Sequence, residues 1–162
     1  EAEVRMKLTG RYTARGIVSE TQTEAGLPQK IPLFDGSFET GYRVVEFYIW
    51  GSNYSGSSGP DCIGKLSKND DGITAAVNFF RADDDNQIAW AGASGSTDTQ
   101  NWWSQGGIVD PDNLIVEDLF VYVRTTAAQS TAINYLVVME KYDIDDWQGA
   151  LAMARDRAQG DL

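Results

Sequence analysis

Apolar and polar residues alternate with a period of two along most of this chain, the spacing at which one face of an extended strand is buried and the other wet. Val4, Met6 and Leu8 alternate with Arg5 and Lys7, which predicts a strand over 4–8 with a basic, solvated face. Residues 30–34 predict a short extended piece. Residues 41–50 are dominated by β-branched and aromatic side chains and predict a central strand. Its period puts Val45, Phe47 and Ile49 on one face, and Val44, Tyr48 and Trp50 with Glu46 on the other. Further strands are predicted over 62–66, 73–80, 87–92, 114–123 and 133–142. In the last of these, Ile133, Tyr135, Val137 and Met139 oppose Leu136 and Val138, so both faces are expected to be covered. Asp35 with Gly36, Asn69 to Gly72, and Asp83 to Asn86 are turn signals, while residues 19–30, 51–60, 92–101 and 125–130 read as loops.

The period changes near the end of the chain. Trp147, Ala150, Leu151, Ala154 and Ala158 share one side of a helix over about 145–158. Asp143 or Asp145 can cap its start, Arg155 and Arg157 suit its end, and Gly160 is a stop signal. About seven to nine short strands separated by frequent turns describe an all-β fold, an antiparallel β-sandwich or jelly roll, with one short C-terminal α-helix. A length of 162 residues fits a single domain spanning 1–162.

Charge narrows the possible partners. The net charge is -11, and the deficit is concentrated in residues 61–120. Such a surface repels phosphate backbones and anionic bilayers, so neither nucleic acid nor membrane is expected as a partner. No apolar run is long enough to span a bilayer. Residues 4–19 run against this trend, with Arg5, Lys7, Arg11 and Arg15 and no acid. They read either as a basic arm docking on an acidic neighbour or as a solvated strand face. The single cysteine, Cys62, excludes an internal disulfide and reads as a small core residue.

Little of the usual catalytic chemistry is present. The chain has no histidine, which removes the commonest general base and a member of most hydrolytic triads. One cysteine cannot make a thiolate metal cluster, and no phosphate-cradling or dinucleotide motif occurs. A pair of carboxylates would suffice for glycoside hydrolysis, but 24 acidic residues make chance pairs abundant. The expectation is a protein that is not an enzyme and needs no cofactor. Asp83, Asp84, Asp85 and Asn86 lack the spacing of a calcium loop and read as a solvated turn, as do Asp110 and Asp112, so no metal site is expected. Trp102 and Trp103 stand beside Gly106 and Gly107. They can pack in the core, form a protein interface, or make a platform for a sugar ring that Tyr54 could join.

Residues 33–47 (LFDGSFETGYRVVEF), 115–122 (IVEDLFVY) and 133–155 (INYLVVMEKYDIDDWQGALAMAR) together resemble small virion-associated proteins of unassigned role encoded by marine viruses and phages. The resemblance implies a viral structural protein located in the virion: a capsid, decoration or other component. It would act through contacts with other virion proteins and with copies of itself, and it supplies no catalytic residues. On that reading Arg5, Lys7, Arg11, Trp102 and Trp103 are the candidate interface residues. The alternative is a glycan-binding module using Tyr54, Trp102 and Trp103.

Overall fold

The structure is a computed structural model that describes residues 7–25, 27–52, 62–70, 72, 74, 77–93, 105–125, 132–144 and 151. The described strands, in chain order, are β1 (Lys7–Val18), β2 (Gln29–Ile31), β3 (Thr40–Gly51), β4 (Cys62–Ser67), β5 (Gln87–Ala93), β6 (Gln105–Val109), β7 (Leu119–Thr125) and β8 (Ile133–Asp143), with a helix α1 (Glu20–Ala25) between β1 and β2. The fold is all-β. Its strands form two antiparallel sheets, one ordered β1-β8-β3 and the other β2-β7-β4-β5-β6. Inward residues of both sheets form one apolar core, in which Val18, Phe47, Ile49, Leu66, Val121 and Val137 are fully buried. Cys62 is buried in this core, as its residue type suggested.

Several elements depart from the pattern in the sequence. β1 is longer than the alternation at 4–8 implies, and only its last residues, around Ala14 and Val18, are buried. The expected loop over 19–30 contains α1. Ser19 and Gln22 form a reciprocal capping box: Gln22 N donates to Ser19 Oγ at 3.2 Å, and Ser19 N donates to Gln22 Oε1 at 3.3 Å. The expected strand over 73–80 is not one. Its described residues form turns and irregular structure, with Asn78 at a φ of 62°, and Phe79 is buried against β4 through Lys65. The strand expected over 114–123 begins only at Leu119, because Ile115 instead bridges to Tyr42. β6 has no counterpart in the sequence reading. The expected helix over 145–158 lies outside the described residues except for Leu151, which is helical and exposed.

β3 carries a bulge between Val44 and Glu46 that reverses the assignment of faces before it. Val44 therefore joins Phe47 and Ile49 in the core, and Val45 is half-buried. Buried Asn113 satisfies the backbone at this irregularity. Val44 N donates to Asn113 Oδ1 at 2.8 Å, and Asn113 Nδ2 donates to Val44 O at 3.1 Å. Two residues on, Tyr42 and Ile115 exchange backbone hydrogen bonds of 2.8 Å each. Further along β3, a Cβ at Gly107 of β6 would lie 2.8 Å from Phe47 O and 2.7 Å from Trp90 O, so only glycine fits between the strands. The free side of β3 is thus covered by residues 113–115 and by β6, which joins the two sheets along that rim.

Candidate docking edge and acidic cleft

The opposite rim is different. Among the described residues β1 pairs with β8 alone, along its whole length except for an irregularity at Thr9, and ends the three-stranded sheet. Across the sandwich, the corresponding edge β2 is only 3 residues long and is tied down at its end. There Asp118 accepts from Leu33 N at 3.0 Å and Phe34 N at 3.2 Å and pairs with Lys30 at 3.1 Å. Burial works to raise the Asp118 pKa, but these N–H donors and the lysine outweigh it and hold the carboxyl below its ordinary value.

The register with β8 sorts the β1 side chains. Leu8, Arg11, Thr13, Arg15 and Ile17 pair with Tyr142, Glu140, Val138, Leu136 and Asn134, on the face away from the core. Tyr12, Ala14, Gly16 and Val18 pair with inward residues of β8. Leu8 is 53%, Tyr12 45% and Ile17 52% exposed, high values for apolar residues in a strand of this length. Lys7, Arg11 and Arg15 are exposed, and none makes an ion pair among the described residues. Glu140, the acid directly across from Arg11, already accepts the Tyr142 hydroxyl. The edge thus offers backbone groups, three apolar side chains and three cations together. Of the sequence candidates, Lys7 and Arg11 are placed here and Arg15 joins them, while Arg5, Tyr54, Trp102 and Trp103 lie outside the described residues.

A second feature is a cleft of about 410 Å³, which brings together two acidic turns that are far apart in sequence. Asp84 and Asp85 stand on one side, Asp110 and Asp112 on the other, with Trp90, Ile88, Gln87 and Asn113 between them and Lys68 also on the wall. Pairing of Ala89 with Val109 sets the two turns side by side. Gln87 organises the floor: its Oε1 accepts from Arg81 N at 2.9 Å and from Trp90 Nε1 at 3.0 Å. Asp83 points elsewhere and is held by the Arg81 guanidinium at 2.7 Å. Among the described residues, no three acids or cysteines converge in a way that could hold a metal ion.

Behind this cleft lies a feature that the sequence pattern did not signal. Lys65 of β4 is fully buried on the outer face of the five-stranded sheet, between Trp90 and Tyr122 in register. Its Nζ donates to Phe79 O at 2.8 Å and lies 4.3 Å from the Phe79 ring and 5.1 Å from that of Tyr122. Burial lowers its pKa to about 8 against the pull of Asp84. Tyr122 Oη donates to Asn69 O at 3.1 Å and accepts from Gly72 N at 3.0 Å, so both side chains fasten the β4–β5 connection to the sheet.

Comparison with known proteins yields no matching family model and no matching curated protein. One similar solved structure is the virus-like particle of the extra small virus of the giant freshwater prawn Macrobrachium rosenbergii. It shows 12% identity and a TM-score of 0.31, and the match covers 83% of this chain and 79% of that one. Another is a CocE/NonD family hydrolase from Staphylococcus aureus, at 9% identity and a TM-score of 0.38, covering 85% of this chain but only 34% of the hydrolase. At these TM-scores neither likeness carries an argument. No helix among the described residues is long and apolar enough to cross a membrane.

Proposed function

We propose that the protein is a structural component of a virus particle that works by protein–protein contact at the virion. The observation that carries this reading is β1, a long strand left open on one side by the described residues, while the other long edge of its sheet is closed by residues 113–115 and β6. An isolated monomer gains nothing from an exposed, partly apolar edge, which invites unwanted pairing. The same edge becomes useful when a partner covers it. The resemblance of residues 33–47, 115–122 and 133–155 to virion-associated proteins supports the same reading.

Light scattering after gel filtration, at low and high salt, tests it. A discrete oligomer or closed particle is expected, or binding of the monomer to preformed shells of its own virus. A protein that stays monomeric at high concentration and ignores such shells would sink the reading.

One observation favours a second reading, a glycan-binding module: the Trp90 wall of the acidic cleft is edged by Asp, Asn and Gln side chains that can accept from and donate to sugar hydroxyls. Tryptophan quenching by added oligosaccharide, lost in Trp90→Phe, would support it. An unchanged spectrum across a glycan panel would remove it.

A further inference from the structure

We infer that β1 is a strand-addition site for an extended acidic segment of a partner protein, which lengthens the three-stranded sheet. This rests on the particle reading and deepens it by naming the chemistry of the partner.

Three observations converge on β1. Among the described residues its far side has no strand partner, so its backbone groups on that side can pair with an added strand. Residues 7–18 hold Lys7, Arg11 and Arg15 and no acid, in a chain with 24 acids and 13 cations. Those three cations make no ion pair among the described residues, although Asp143 and Glu140 stand across from Lys7 and Arg11 in register, and Glu140 accepts the Tyr142 hydroxyl. Charge complementarity therefore selects an acidic occupant. A second copy pairing β1 with β1 would set cations against cations and is disfavoured.

The pleat specifies more than charge. Arg11, Thr13, Arg15 and Ile17 share one face. In an added antiparallel strand, the residues directly opposite lie on that same face, with Cβ atoms about 4.5–5.5 Å away. The partner thus carries acids spaced as Arg11 and Arg15 are spaced, a small residue between them opposite Thr13, and an apolar residue next in the alternation opposite Ile17. Tyr12, exposed on the other face and packed against Tyr42 at 6.1 Å between ring centroids, offers a flat apolar surface for one further side chain.

The test uses the full chain and a blocked peptide of about ten residues, within the usual length of a strand. The peptide has valines on one face and two glutamates on the other, spaced to match Arg11 and Arg15. The expected result is binding with amide chemical-shift changes along β1. Arg11→Glu/Arg15→Glu should weaken it by about tenfold or more and reverse the preference toward a lysine version of the peptide. Both arginines are exposed, so the fold should tolerate the change, to be checked by circular dichroism. A peptide N-methylated on alternate residues keeps the charges but cannot pair, and it should not bind. Equal affinity of the N-methylated peptide would reduce the contact to unspecific ion pairing and overturn the proposal. So would a double variant that binds the acidic peptide as well as the parent does, or absence of binding by any of the peptides. None of these results depends on whether the protein assembles, so a particle without strand addition, or strand addition without a particle, would be told apart.

Discussion

The burial of Lys65 shapes how the stability of the protein responds to mildly alkaline pH. Its folded pKa of about 8 lies below the ordinary lysine value of 10.5. Between those values the unfolded chain holds a proton that the folded chain has released. Stability therefore rises with pH across that window, and the gain is absent below about pH 8. Urea titrations of the parent and of Lys65→Met should diverge as pH increases from about 8 toward 10, the parent gaining relative to the variant. Parallel curves would show that the amine is not shielded. Tyr42 and Tyr135, whose pKa values are raised first by burial, act in the opposite sense at higher pH in both proteins and cancel from the difference. Gly107 is the second decisive residue. A methyl group there meets two backbone carbonyl oxygens that belong to different strands, Trp90 O and Phe47 O, and backbone has little room to give way. Gly107→Ala should lower stability by about 2 kcal/mol or more, measured by chemical denaturation, whereas Gly10→Ala, where a Cβ meets nothing within 4 Å, should change little.

At the scale of elements, the bulge in β3 decides which side chains enter the core, and Asn113 holds it. The Asn113 amide takes the place of a neighbouring strand for one residue, satisfying both the N–H and the C=O of Val44. Asn113→Ala leaves both groups buried without that partner and should cost about 2–3 kcal/mol, with amide exchange at Val44 rising more than at Phe47. A uniform rise across β3 would mean that the side chain stabilises the fold without fixing the bulge. The bulge also explains a misassignment. Strict alternation through residues 41–50 predicts Val45 in the core, and one extra residue in the pairing puts Val44 there. The strands at 62–66, 87–92 and 133–142 were legible because a buried face opposes a more polar one or a steady β-branched run. Alternation marks little of β1, because most of the strand is exposed on both faces. The apolar run at 73–80 misled for a physical reason. Phe79 is buried on the outside of a sheet, not in a ladder, and periodicity does not separate those uses. The acidic cleft was invisible because Asp84 and Asp110 meet only through the β5–β6 pairing, and β6 has no hydrophobic period of its own.

For the molecule as a whole, the two rims of the sandwich are unequal. One is sealed by side chains and a close β3–β6 approach, and the other presents a single long strand with a short, anchored edge opposite it. This asymmetry predicts a binding stoichiometry. The peptide designed against β1 should saturate at one per chain by calorimetry, and two equal sites would mean that the β2 rim is also open. It also bears on a hazard shared by β-rich proteins. A fibre grows only when every unit that is added exposes a fresh edge on its far side. Here the far side of the receiving sheet is β3, whose edge is already occupied by its own chain. A second copy meeting this edge would present only its own covered β3 on its far side, so growth of copies through this sheet ends there.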